Sequence, residues 1–136
     1  MIVVDSSALA AIFFGEAEAS DILRRILAEP PGERKMSTAS FVELGSVMAG
    51  RRAGDRMAAI TDLEFGLSGF GIDLEPVTEA QAKSALRARI RFGRGMGHGG
   101  VLNYGDCFSY ALAKALNAPL LYVGNDFATT DVVPAL

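Results

Sequence analysis

Four acidic side chains are candidates for chemistry because each stands alone among neutral or apolar neighbours: Asp5, Glu43, Asp106 and Asp126. Asp5 ends an apolar run at residues 1–4, and Asp126 follows a second apolar run, 120–123, after a short turn. If the two runs are parallel strands, both acids lie at the carboxyl edge of the sheet, where open α/β sheets bind ligands. Clustered carboxylates repel one another unless a cation compensates them, and oxygen ligands without His or Cys favour Mg²⁺ or Mn²⁺. The pattern predicts a metal-dependent phosphodiesterase.

The composition permits this prediction and excludes several other classes of protein. A chain of 136 residues that is 50% hydrophobic suits one domain, 1–136, with a real core. The single cysteine, Cys107, excludes an internal disulfide, and a single histidine, His98, excludes a zinc cluster. The apolar N-terminus is too short for a membrane span and lacks the features of a signal peptide. We therefore expect a soluble cytoplasmic protein with no membrane contact.

The net charge of −3 conceals local basic groups. No acidic residue lies between Glu79 and Asp106, a stretch that contains Lys83, Arg87, Arg89, Arg91 and Arg94. A second group contains Arg51, Arg52 and Arg56. Local patches rather than total charge determine whether a protein attracts phosphates. Arg87, Arg91 and Arg94 are therefore candidates for contacts with the phosphates of a nucleic acid, although they could equally form a solvated helix face.

Alternating apolar runs and amphipathic stretches predict an α/β fold with a parallel sheet and helices on both faces. Strands are expected at residues 2–5, 34–37, 72–74 and 120–123, with an edge strand at 131–133. Helices are expected at residues 8–13, 16–28, 38–49, 54–68 and 79–92, and a last helix, capped by Asn103, runs to about residue 116. The five glycines in residues 93–100 indicate a loop.

Each candidate acid also has a purely structural explanation. Asp5 could cap a helix, Asp106 could form a capping box with Asn103, and Asp126 could be a turn residue. Glu43 is harder to explain in this way, because its helix is largely apolar and a buried carboxylate without a partner is costly. A cluster centred on a metal would supply that partner.

Four blocks of sequence resemble one known family, the PIN-domain ribonucleases, and within it the VapC-type toxins of toxin–antitoxin pairs. They are Val-Val-Asp-Ser-Ser-Ala-Leu at 3–9, Ser-Thr-Ala-Ser-Phe-Val-Glu at 37–43, Leu-Asn-Tyr-Gly-Asp-Cys-Phe-Ser-Tyr-Ala-Leu-Ala at 102–113 and Pro-Leu-Leu-Tyr-Val-Gly-Asn-Asp-Phe at 119–127. The blocks occur in the order typical of the family and extend over essentially the whole chain. The third is the most specific.

The resemblance implies a PIN-like three-layer sandwich with a central parallel sheet of four or five strands. It also implies an acidic pocket that holds one or two Mg²⁺ or Mn²⁺ ions and cleaves RNA with metal-activated water. Asp5 and Asp106 match the principal metal ligands, Glu43 and Asp126 complete the site, and Ser6 and Asn103 match supporting polar positions. Many family members carry an acid where this chain has Gly124, so Asp126, or alternatively Asp131, would serve instead.

The resemblance further implies a homodimer and a cognate antitoxin whose basic side chain, an Arg, could pair with the acids. One alternative function remains open at this point. The protein could be a non-catalytic binding module whose acidic pocket holds a partner's basic peptide. A phosphotransfer enzyme fits less well, because Asp5-Ser6-Ser7 lacks the second Asp of an Asp-x-Asp motif.

Overall fold

A four-stranded parallel sheet forms the centre of the molecule in the computed structural model, which describes all 136 residues. The strand order is β3-β2-β1-β4, and every neighbouring pair is parallel. In the centre of the sheet Val3 lies opposite Lys35 on one side and Leu120 on the other. The strands are β1 (Ile2–Val4), β2 (Arg34–Ser37), β3 (Asp73–Glu75) and β4 (Leu120–Leu121).

Six helices cover the two faces of the sheet. They are α1 (Ser6–Phe13), α2 (Ala19–Ala28), α3 (Thr38–Arg51), α4 (Ala58–Gly69), α5 (Glu79–Phe92) and α6 (Asp106–Leu116). Alternate side chains of a strand point to opposite faces. Accordingly Ile2 and Val4 pack in one core with residues of α1–α4, whereas Val3 packs in a second core with α5 and α6. The predicted three-layer α/β fold is confirmed, with four strands. None of the helices combines the length and the apolar character needed to cross a bilayer.

Several predicted boundaries are wrong for identifiable reasons. The helix expected at 54–68 begins only at Ala58, because Gly54 has a left-handed φ of +85° and Asp55 accepts a hydrogen bond from the Met57 amide in a turn. The helix expected from residue 16 begins at Ala19. The expected edge strand at 131–133 is reduced to one bridge, between Leu120 and Pro134.

The predicted glycine-rich loop, 93–100, is present between α5 and α6. Gly95, Gly97 and Gly99 all have positive φ, a backbone conformation that favours glycine. The His98 ring ties the loop to α5, because Nε2 donates to the Ile90 carbonyl oxygen at 2.8 Å while Nδ1 accepts from the Gly100 amide. These contacts give His98 a structural role outside the acidic pocket.

Candidate active site

All four candidate carboxylates line one open cleft of about 270 Å³. Asp5 directly follows β1, Glu43 lies on α3 after β2, Asp106 is the first residue of α6, and Asp126 follows β4. The carboxyl ends of parallel strands meet at one edge of the sheet, and this order of elements therefore brings the acids together. No Lys, Arg or His lines the cleft, whose other lining residues are Ser6, Ser7, Ala10, Leu44, Val47 and Asn103.

Asp5 is held by hydrogen bonds to both of its carboxylate oxygens. Its Oδ2 accepts from the Ser7 amide at 3.0 Å and from the Ser7 hydroxyl at 2.6 Å, while its Oδ1 accepts from the Ser109 hydroxyl at 2.6 Å. The Ser7 hydroxyl also accepts from the amide of Val123, beyond the end of β4. Asp5 does cap α1. It is only 1% exposed, so the same contacts hold a buried carboxylate in one orientation.

The Glu43 carboxylate is hydrogen-bonded by Ser6, whose hydroxyl donates to Oε1. Burial raises the pKa of Glu43, the Ser6 hydrogen bond opposes that rise, and the negative charge of Asp5 adds to it. The opposite side of the carboxylate faces Gly105. A Cβ at that position would overlap Glu43 Oε2, so any larger residue would force the carboxylate to move.

Asp106 forms the capping contacts that its sequence suggested, and it also lines the acidic cleft. Its amide donates to Asn103 Oδ1 at 2.8 Å, and its Oδ2 accepts from the Asn103 amide at 3.0 Å, which is a capping box with Asp in place of Glu. The regular α-helix begins at Asp106, after a turn at residues 104 and 105, rather than directly after the Asn103 cap. Burial, more than repulsion from Asp5, Asp126 and Glu43, raises the pKa of Asp106 to about 7, against the opposing hydrogen bond from Asn103.

None of the four carboxylates forms an ion pair with a basic group of the protein. The oxygen-only donors suit a hard divalent cation, whose charge would offset the burial, and the smaller repulsion, that raise the pKa values of Asp106 and Glu43. No three acidic, His or Cys side chains surround a single point by themselves. The site therefore fits Mg²⁺ or Mn²⁺ only if water or phosphate oxygens complete the coordination, which is the usual situation for Mg²⁺.

Two supporting candidates from the sequence, Ser6 and Asn103, line the cleft, whereas Asp131 and the three arginines lie outside it. Asp131, the alternative fourth acid, accepts hydrogen bonds from Tyr110 Oη at 2.7 Å and from Lys114 Nζ at 3.1 Å. Arg87, Arg91 and Arg94 are exposed and do not line the cleft. They form no ion pairs, so their charges are available on the surface of α5 and the loop after it.

The sequence interpretation missed the neutral residues that shape the site: Ser7, Ser40, Ser109 and Gly105. One signal for two of them was available. Ser40 precedes Glu43 by three residues and Ser109 follows Asp106 by three, a spacing that places each hydroxyl on the same helix face as the acid. Gly105 carried no such signal, because its contact with Glu43 joins two separate helical segments.

The protein is a parallel α/β sandwich whose sheet carries, at its carboxyl edge, a cleft of carboxylates without basic partners, and comparison with known proteins identifies its family. The sequence model of the PIN-domain family matches residues 2–133 of this chain. Ribonuclease VapC42 of Mycobacterium tuberculosis is 41% identical over 133 residues, which cover 98% of each chain. Ribonuclease VapC of Mycolicibacterium smegmatis is 42% identical, with 96% of each chain covered.

Solved structures agree on the fold. VapC20 of Mycobacterium tuberculosis, described as a sarcin–ricin loop cleaving toxin, superposes with a TM-score of 0.75 at 18% identity, over 98% of this chain and 97% of that one. VapBC-1 of nontypeable Haemophilus influenzae gives a TM-score of 0.74 at 18% identity, over 98% of this chain and 96% of that one. The chain belongs to the PIN-domain family, among the VapC ribonucleases.

Proposed function

We propose that the protein is the toxin of a type II toxin–antitoxin pair and a single-domain endoribonuclease that requires Mg²⁺ or Mn²⁺. The observation that carries the proposal is the cleft itself, where four carboxylates meet without a basic partner. The similarity to VapC ribonucleases over nearly the whole chain supports RNA as the substrate. A module built to bind a basic peptide would bind such a partner through the same cleft but would not cleave RNA.

In the proposed reaction Asp5 and Asp106 would hold the metal ion, and Glu43 and Asp126 would complete the acidic site. Such an ion would supply Lewis acidity and activate water for hydrolysis of a phosphodiester. The protein's contribution is to place the carboxylates: Ser7 and Ser109 orient Asp5, Ser6 orients Glu43, and Asn103 orients Asp106. Glu43 and Asp126 are the candidates to orient the attacking water.

Metal removal tests the proposed activity directly. The purified protein should cleave RNA in Mg²⁺ or Mn²⁺ and stop when EDTA removes the ion, with activity restored by adding the ion back. Gel electrophoresis of end-labelled RNA would record the cuts. Undiminished cleavage in EDTA would contradict the metal requirement, and tight peptide binding without any cleavage would favour the binding module.

We place the RNA backbone along the exposed arginines Arg87, Arg91 and Arg94, whose charges have no acidic partner in the protein. Replacing Arg87 and Arg91 with Gln should weaken RNA binding and lower its salt dependence by about 0.7 in the log–log slope per lost phosphate contact. Arg24→Gln is the matched control, because Arg24 is exposed on α2 and already paired with Asp21. Fluorescence anisotropy across a salt series measures both quantities. An unchanged salt slope would show that these arginines are solvated surface residues that do not contact RNA.

A homodimer and an antitoxin partner are part of the same proposal. Structural neighbours include a toxin–antitoxin complex from Klebsiella pneumoniae and VapBC2 from Rickettsia felis bound to promoter DNA, with TM-scores of 0.72 and 0.69. Exposed apolar side chains such as Val42, Met57 and Phe65 offer surface for such contacts. Light scattering of the protein alone, and after co-expression with a neighbouring small reading frame, would test both. A monomer that captures no partner would reject them.

A further inference from the structure

Ser40 and Ser109 are completely buried, each with 0% exposure, on helices that face each other beneath the acidic cleft. Ser109 lies among core residues of α6, including Cys107, Ala111 and Leu112. A buried hydroxyl costs free energy unless it is hydrogen-bonded, and alanine would fill these positions without that cost. The two hydroxyls therefore need an explanation beyond packing.

Their hydrogen bonds run in one direction. Ser109 Oγ donates to Asp5 Oδ1 at 2.6 Å, because an ionised carboxylate only accepts. A hydroxyl has one proton, so in the 2.9 Å contact between the two serines Ser109 accepts and Ser40 donates. Ser40, Ser109 and Asp5 thus form a directed chain, which we call the hydroxyl relay.

The relay connects the elements that carry three of the four acids. Ser40 lies one helical turn before Glu43 on α3, and Ser109 lies one turn after Asp106 on α6. Asp5 stands at the end of β1. Two hydrogen bonds consequently join α3 to α6 and α6 to β1 directly below the carboxylates.

The relay also limits how Asp5 can bind a cation. A carboxylate offers about four lone-pair positions. Ser7 occupies two of them through Oδ2, and Ser109 occupies one on Oδ1. One position therefore remains free on Oδ1, and the Ser109 hydroxyl determines which one it is.

We propose that Ser40 and Ser109 are positioning residues that orient Asp5 for divalent-cation binding, with Ser40 acting only through Ser109. This inference rests on the proposed metal-dependent function. The two serines touch neither the substrate nor the ion, and they influence cation affinity only through the orientation of Asp5. Outer hydrogen-bond partners of metal ligands characteristically affect metal affinity by 10–100-fold.

A double-mutant cycle tests the relay, with Mn²⁺ affinity measured by calorimetry in the absence of RNA. Ser109→Ala should weaken Mn²⁺ binding by about 10–100-fold, and Ser40→Ala by a few-fold. Because Ser40 acts through Ser109, adding Ser40→Ala to Ser109→Ala should weaken Mn²⁺ binding no further. Ser46→Ala is the matched control on α3, since Ser46 is exposed and donates only to the Val42 carbonyl oxygen. It should leave the affinity unchanged.

The outcomes separate the relay from the proposed function. Normal Mn²⁺ affinity in folded Ser109→Ala would overturn the relay while leaving the metal site intact. Additive losses in the double variant would also overturn it, because they would mean that each serine acts independently. Absence of Mn²⁺ binding by the unaltered protein would overturn the relay and the metal requirement together. If Ser109→Ala fails to fold by circular dichroism, a few-fold loss in Ser40→Ala relative to Ser46→Ala still decides for the relay, and equal affinity decides against it.

Discussion

Asp5→Asn should reduce RNA cleavage by about a thousandfold or more while the protein remains folded. The substitution removes a negative charge that binds the proposed ion. A metal ion stabilises a transition state by several kcal/mol, and each 1.36 kcal/mol corresponds to about a tenfold change in rate. The hydrogen bonds add to the effect. Three donors converge on the two oxygens of Asp5, and an Asn amide would present an N–H group to at least one of them.

The matched control is Asp131→Asn, which removes the same charge from a carboxylate outside the cleft. Asp131 is bonded to Tyr110 and Lys114, so this variant should lose some stability and keep its cleavage rate. Single-turnover cleavage of a labelled RNA, with circular dichroism to verify folding, measures both effects. Loss of cleavage in Asp131→Asn together with retention in Asp5→Asn would reverse the assignment of the acids.

Asp106→Asn should make the protein more stable at pH 8 without divalent ions, at the expense of activity. Burial raises the pKa of Asp106 to about 7 from an ordinary value of 3.8. The folded state therefore favours the protonated acid, and this contribution to stability is present below about pH 4 and is lost as the pH rises through 7. Asn carries no charge and avoids that loss, which corresponds to about 2–4 kcal/mol.

Thermal unfolding between pH 5 and pH 8 in EDTA would measure the difference. The melting temperature of Asp106→Asn should exceed that of the unaltered protein by several degrees at pH 8, and the two values should converge toward pH 5. Millimolar Mn²⁺ should raise the melting temperature of the unaltered protein more than that of the variant, because binding to the folded state stabilises it. Parallel pH profiles for the two proteins would show that Asp106 is not destabilised by its surroundings.

Much of the architecture follows from local pattern. The apolar runs before Asp5 and Asp126 indicate buried strands, and helices between strands require parallel connections, so the order of elements already brings acids to one edge. The helix boundaries were less predictable. Gly54 and Asp55 form a turn at a place where the amphipathic pattern alone predicts the first residues of a helix. The resemblance to the PIN-domain ribonucleases rested on short sequence motifs, which can be recognised without any knowledge of how the chain packs.

The candidate acids, the preference of their oxygen donors for a hard cation and the α/β class could all be predicted from the sequence, because they depend on residue type and short-range periodicity. How the acids are held follows only from the packing of the fold. Ser109 reaches Asp5 across 104 residues of chain, and Gly105 leaves space for a Glu43 carboxylate carried by another helix. The packing also separates Asp131 from Asp126, because Tyr110 and Lys114 bind the former outside the cleft. Such contacts depend on how distant helices pack against one sheet edge, and no local pattern encodes that packing.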